Sequence, residues 1–278
     1  MHYHIAADSC TDPVPGMSSD GFLTHVPLTP RVGNEEIIDD NRFNQRDFLD
    51  KVNACCGDVS SACPSPGAFY KAFGDDNLDA YGITLSSKLS GSYNSAVLGA
   101  EMAIEDHPGK RIHVFDSKSA AAAQSLILLK LKECLDAGME FLETVNTVEK
   151  YIAGQTTLFV LDKLDALKKN GRLSNLEGMI ATVLNLKPVL GDKDGEIRKV
   201  TVGRGMKQAL AKLVDAIGEN LTGAGDRVLA ITHCNCLDRA KNLAEDIKRR
   251  YNFKDVLILD AAGVSSMYAS DGGVVLAF

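Results

Sequence analysis

The run Gly82-Ile83-Thr84-Leu85-Ser86-Ser87-Lys88-Leu89-Ser90-Gly91-Ser92-Tyr93 joins an apolar segment to a helical pattern through a loop of hydroxyls, one lysine and one glycine. Ser92 is placed to cap that helix, whose apolar positions Val97, Leu98, Met102 and Ile104 recur at near-helical spacing. The first N–H groups of a helix lack internal partners and carry partial positive charge, so a strand-loop-helix junction is a ready anion site. Whether a phosphate, a carboxylate or nothing occupies it stays open on these residues alone, since serine-rich caps are common.

Other side chains narrow the chemistry. Ser61, Ser65, Ser87, Ser90, Ser117 and Ser119 donate hydrogen bonds without being activated for attack. Arg172 and Arg204 each follow a glycine and offer forked donors to a carboxylate or phosphate. No Gly-x-x-x-x-Gly-Lys-Ser/Thr loop cradles a nucleotide, and Val202-Gly203-Arg204-Gly205 lacks the third glycine of a dinucleotide fingerprint. No Gly-x-Ser-x-Gly elbow presents a serine nucleophile. The six histidines show no metal-ligand spacing beyond the trivial His2/His4 pair, and His233, after a strand, reads as a structural or surface residue. Asp8 and Asp116, both at strand ends, read as caps before they read as an acid-base pair. The inventory suits holding an anionic head group better than breaking a bond. No catalytic residue, metal or cofactor is expected.

Alternating elements must position these groups. Tyr3–Ala7, Tyr81–Leu85 and Ile112–Phe115 read as strands, with helices from Gln45 (capped by Asn44), from Pro66 (capped by Ser65), from Ser92 and from Ala120 to Leu135, stopped at Gly138. Strands alternating with helices imply a parallel sheet covered on both faces, with ligands at the carboxyl ends of strands. There lie Asp8-Ser9, the Ser86–Ser92 loop and Asp116–Ser119. Beyond Leu158–Leu161, the reading gives a small helix Leu164–Asn170, a helix capped by Ser174 through Leu184, and two strands about Gly191-Asp192-Lys193-Asp194-Gly195. A helix after Arg204, strands Val228–Thr232 and Val256–Leu259 with a helix Leu237–Tyr251 between, a Gly-rich segment and an apolar run Val274–Phe278 complete the chain. The expected organisation is α/β in two lobes, residues 1–155 and 156–278, the first with a parallel sheet and flanking helices, the second mixed.

The chain has 278 residues, a net charge of −7 and a pI near 5.4, a balance that argues against a general nucleic-acid or membrane-surface binder. It shows no signal-peptide pattern and no apolar run long enough to span a bilayer. Its seven cysteines follow no framework spacing, which suits reduced thiols in a bacterial-type cytoplasm.

Taken together, Asp8-Ser9, Ser61-Ala62-Cys63-Pro64-Ser65-Pro66-Gly67, Ser86-Ser87-Lys88-Leu89-Ser90-Gly91-Ser92-Tyr93, Asp116-Ser117-Lys118-Ser119, Asn170-Gly171-Arg172-Leu173-Ser174, Asn185-Leu186-Lys187-Pro188-Val189-Leu190 and Arg204 before a basic helix carry a resemblance. In this order and spacing they resemble the DegV-type bacterial fatty-acid-binding proteins, over nearly the whole length. The resemblance implies a tunnel between two α/β lobes that encloses one long-chain fatty acid. It further implies a separate ATP-using fatty acid kinase that converts the acid to acyl phosphate for phospholipid synthesis, the protein itself being no enzyme. It places the carboxylate at Ser61 and Ser90, Arg204 near the head group, and Arg172 at the arginine of a Gly-Arg-Ile-Ser segment. It leaves room for transient membrane contact. Two departures stand out: Ser61 replaces a threonine, and Ala269 stands where the family has histidine, with Tyr268 and Ser270 beside it. The competing expectation is an enzyme acting on a small anionic or acyl substrate, a phosphotransferase or a serine hydrolase using Ser90.

Overall fold

The computed structural model describes residues 3–17, 21–173, 185–221 and 223–278. The helix expected from Ser174 to Leu184 lies outside the described residues. In the first half the chain runs β1 (Tyr3–Asp8), β2 (Leu23–Val26), β3 (Thr29–Val32), β4 (Glu35–Glu36), α1 (Gln45–Ala54), β5 (Val59–Ala62), α2 (Pro66–Ala72), β6 (Asp79–Thr84), α3 (Ser92–Asp106), β7 (Ile112–Asp116), α4 (Ala122–Asp136) and α5 (Phe141–Ala153). The second half holds β8 (Thr157–Val160), α6 (Asp165–Lys169), β9 (Leu186–Lys193), β10 (Glu196–Arg204), α7 (Gly205–Asn220), β11 (Val228–His233), α8 (Leu237–Arg250), β12 (Asp255–Asp260), α9 (Gly263–Ala269) and β13 (Val274–Ala277).

The first sheet has the order β2-β1-β6-β7 and all its pairings are parallel. Its two faces are covered as the alternation of elements requires. On one, Phe69 of α2, Phe73 just after it, and Ala96, Ala100 and Ala103 of α3 pack on Ala6, Ala80 and Val114. On the other, Ile127 and Leu131 of α4 and Phe141, Val148 and Ile152 of α5 pack on Ile5, Tyr81 and Phe115. The second sheet, β10-β9-β8-β13-β11-β12, is mixed: β11 and β12 run parallel while the other neighbours are antiparallel. A small antiparallel sheet, β4-β3-β5, carries Ser61.

Helix α4 joins the lobes. Its residues Ala122, Ala123 and Leu126 pack on Ala230, Leu259 and Ala277 of the second sheet while Ile127 and Leu131 face the first. A helix between two sheets must be apolar nearly all round, which explains the run Ala120–Leu129.

Local signals act as the sequence states at two starts: Asn44 Oδ1 accepts the Asp47 N–H at 3.0 Å, and Ser65 Oγ the Ala68 N–H at 3.2 Å, with Pro66 the first helical residue. At α3 the cap differs. Gly91 is the capping residue and makes no side-chain cap bond. Ser92 is instead fully buried and its hydroxyl serves Asp8.

Candidate functional site

The side chains at the carboxyl ends of the first sheet are held by buried acids. Asp8 is fully buried and accepts from the Leu85 N–H (2.8 Å), the Cys10 N–H (3.2 Å) and Gln124 Nε2 (2.8 Å). Burial pushes its pKa up to about 6 despite those donors. Asp116 accepts from the Ser87 N–H (3.1 Å), the Ser87 hydroxyl (2.5 Å) and the Lys118 N–H (3.0 Å). Both carboxylates therefore act as loop-fixing caps.

Two more acids reach across to the second lobe. Asp12, fully buried, accepts from Thr232 Oγ1 (2.7 Å) and the Ala262 N–H (2.8 Å), and burial raises its pKa to about 7. Asp39 accepts from Ser9 Oγ (2.8 Å) and from the Gly263 and Val264 N–H groups (2.7 and 2.9 Å) at the start of α9. Burial raises its pKa too. Only glycine fits at 263, because a Cβ there would lie 2.6 Å from Asp39 Oδ1. This clamp fixes α9, whose residues Val264, Ser265, Tyr268 and Ala269 form one wall of a pocket between the lobes.

The pocket is mostly apolar. Leu28, Leu85 and Leu89 of the first lobe face Phe159, Ile197 and Val275 of the second. On β8 the alternation of a strand puts Thr157, Phe159 and Leu161 on the pocket side. Phe159 and Val275 are register partners of β8 and β13, so one cross-strand pair supplies two wall residues. Ser119, Thr157 and Asp192 are polar lining groups that partner one another: the two hydroxyls lie 2.7 Å apart, and the Thr157 N–H donates to Asp192 at 2.8 Å.

Ser61, Ser90, Arg172 and Tyr268 also line this pocket. Ser90 sits in the β6–α3 loop, which is fixed by the Ser86 N–H to Ser119 O (2.8 Å), the Ser86 hydroxyl to Gly195 O (2.7 Å) and the Ser90 N–H to Ser86 O (3.1 Å). Its Oγ accepts the Ser92 N–H at 3.2 Å, and among the described residues its own proton faces only Ser92 Oγ at 3.5 Å, beyond the usual O–H···O range. Ser61 Oγ lies 3.3 Å from the Tyr268 hydroxyl, so the two hydroxyls share one hydrogen bond and one proton remains to be donated. Arg172 donates from Nε to Leu89 O (3.1 Å) and from a terminal nitrogen to Asn170 O, and its guanidinium stands 5.8 Å from the centre of the Tyr268 ring.

Of the four residues named from the sequence, Ser61, Ser90 and Arg172 thus share one pocket. Arg204 is not brought to it. It is the exposed last residue of β10, seven positions beyond pocket-lining Ile197. A strand rises ~3.3 Å per residue, so it stands roughly 20 Å further along. Ala269 lines the pocket, and Tyr268 rather than Ser270 supplies a polar atom beside it. The Asp12 and Asp39 clamp was not legible beforehand, since all of its donors but Ser9 lie more than two hundred residues away in sequence. His233 is buried, 3.2 Å from Asp260 and accepting the Cys236 N–H at Nδ1, a structural placement. Among the described residues no cluster of His, Cys, Asp and Glu could hold a metal ion, and no helix is long and apolar enough to cross a membrane.

Two α/β lobes enclose an apolar pocket with hydroxyls and an arginine at one place, an arrangement whose chemistry suits an amphipathic anion. The family model for DegV proteins, described as uncharacterised, matches residues 2–278, and the chain belongs to the DegV family. A DegV domain-containing protein of Streptococcus pneumoniae is 33% identical over 100% of this chain and 99% of its own length. Among solved structures, a DegV family protein from Ruminococcus gnavus, refined with vaccenic acid, is 41% identical with a TM-score of 0.96, covering 100% of both chains. The Streptococcus pneumoniae fatty acid kinase (Fak) B3 protein, loaded with linoleic acid, is 32% identical with a TM-score of 0.92 over 100% of this chain and 99% of that one.

Proposed function

We propose that this protein binds one long-chain fatty acid in the inter-lobe pocket and presents its carboxylate to a separate ATP-using fatty acid kinase, which phosphorylates it to an acyl phosphate for phospholipid synthesis. The observation that carries the reading is the convergence of Ser61, Ser90 and Arg172 on one otherwise apolar pocket. The fatty acids bound by the Ruminococcus and pneumococcal relatives support it, and the pneumococcal protein's name supports the kinase. Each buried CH₂ contributes roughly 0.8 kcal/mol, so the chain supplies most of the affinity. The hydroxyls and guanidinium offset desolvation of the carboxylate and fix its direction. In this reading residues 1–155 and 156–278 are the two lobes that close on the ligand.

The protein performs no chemistry of its own here. The side-chain hydrogen bonds of Ser90 run to Ser92, and that of Ser61 to Tyr268, so among the described residues neither hydroxyl is paired with a base. All seven cysteines are free, which suits the cytoplasm. Mass spectrometry of an organic extract of washed protein tests the reading. One long-chain fatty acid per chain is expected, and an empty extract followed by no uptake of added oleate or palmitate would refute it.

A further inference from the structure

Helix α3 begins at the head-group loop and runs outward, and its outer face is unusual. Its inward positions Ser92, Ala96, Gly99, Ala100 and Ala103 are buried against α2 and the first sheet. Opposite them stand Glu101 and Glu105, and beside these on one flank Leu98 and Met102, one turn apart and 51% and 43% exposed. Ile104 is exposed on the other flank of α3, and Ile38, Leu142, Leu186 and Leu237 are exposed in four separate segments. The stripe is continuous with the pocket's polar end. Gly91 and Ser95 precede it on the same face, and Cys63, two residues from Ser61, has its Sγ 3.9 Å from Ser95 Oγ. At 1.5 Å per residue, Leu98 and Met102 lie roughly 9 and 15 Å along the axis from Ser92.

Acids border this stripe, Glu101 and Glu105 on one side and Asp106 on the other. Glu101 and Glu105 are exposed and, among the described residues, make no ion pair, while Asp106 accepts only from the Tyr70 hydroxyl at 2.8 Å. The helix contains no Lys or Arg. Glu105 and Asp106 also fall in its last turn, where the dipole disfavours negative charge. Among the described residues no Lys, Arg or His pairs with these three carboxylates.

We propose that this face of α3 is the docking surface for a protein partner whose apolar contact is rimmed by Lys and Arg, and, resting on the reading above, that this partner is the fatty acid kinase. Cationic side chains would pair with Glu101, Glu105 and Asp106 around the Leu98–Met102 anchor, beside the end of the pocket from which the carboxylate is reached. A second copy of this chain fits poorly, because a two-fold contact would set Glu101 and Glu105 near their own counterparts. An anionic bilayer fits poorly for the same electrostatic reason.

The test uses the full chain loaded with oleate and the source organism's own fatty acid kinase with ATP. Leu98→Gln combined with Met102→Gln, both exposed and compatible with a helix, is expected to raise KM for the loaded protein about tenfold or more. kcat and oleate affinity are expected to stay unchanged, and retained oleate binding reports an intact fold. Glu101→Lys combined with Glu105→Lys is expected to raise KM most at low salt, through a slower encounter. Wild-type turnover with unchanged KM in both variants would overturn the surface and leave the carrier reading standing. Failure of the kinase to convert the oleate carried by the wild-type protein to its acyl phosphate would overturn both. Unchanged KM accompanied by loss of self-association, or of flotation with phosphatidylglycerol vesicles, would also overturn the proposal and assign the face to a second copy or to a membrane.

Discussion

Two polar regions lie close in the fold of this protein and differ in what they leave unspent. At the inter-lobe clamp, Asp12 and Asp39 accept between them five hydrogen bonds, from Thr232, Ala262, Ser9, Gly263 and Val264. At the pocket's polar end the order is reversed. Hydroxyl donors outnumber the acceptors that face them, with Ser61 and Tyr268 sharing one bond and the Ser90 proton facing a distant oxygen. The first region is saturated and its acceptors are internal. In the second, the hydroxyl donors outnumber the acceptors among the described residues. Polar burial by itself thus says little about function, and the count of unused donors says more.

This contrast can be broken at several points. The largest effect is expected from Asp12→Ala, which orphans the Thr232 hydroxyl and the Ala262 N–H inside the fold. It should cost about 3 kcal/mol of stability, read by denaturant unfolding. The combined change Ser61→Ala and Ser90→Ala should leave stability nearly untouched and weaken oleate binding roughly thirtyfold, on the order of 2 kcal/mol, measured by titration calorimetry. Full affinity in the double variant would show that the head group is held elsewhere.

A smaller effect per unit of pH separates the regions again. In the unfolded chain both carboxyls titrate near ~4, whereas in the fold Asp8 is raised to about 6 and Asp12 to about 7. The folded state therefore binds more protons than the unfolded state from roughly pH 4 to 7, so their contribution is complete below that window and falls as pH rises through it. The slope is at most about 1.4 kcal/mol per pH unit for each group. Asp12→Asn should flatten the upper part of that slope in unfolding curves taken across the window, whereas Ser90→Ala should leave it as it is. The smallest effect is expected from Arg204→Ala, exposed at the far end of β10, which should keep oleate affinity within about twofold because it touches no pocket atom.

Legibility in the sequence follows the range of the interaction. The Asn44 and Ser65 caps and the Asp194-Gly195 turn act within a few residues and were readable as such. Even there Ser92 misled, because a longer-range demand, the buried Asp8, takes its hydroxyl and leaves Gly91 to start α3. The short strands β3, β4 and β5 carry no pattern long enough to see, and their pairing is fixed by neighbours such as Pro30 opposite Ser61. Helix α9 hides in a Gly- and Ser-rich stretch, since its first turn is held by Asp39 from the other lobe. Placing Ser61, Ser90 and Arg172 together required motifs matched in order along the chain, for periodicity alone does not join a β5 residue to a loop beyond α6. Arg204 had the same kind of warrant, yet its strand carries it away from the pocket.

The pairing of Phe159 with Val275 has a consequence for time as well as shape. β8 opens the second sheet in sequence and β13 is its last strand, yet they are neighbours at its centre. Closing so long a loop is entropically slow, and the contact forms only once most of the intervening chain has found its place. The pocket wall built on that pair therefore comes into being late on the folding path. A chain in which that pair had not yet closed would lack the wall, so capture of a lipid would report that the first and last strands of the second sheet had met.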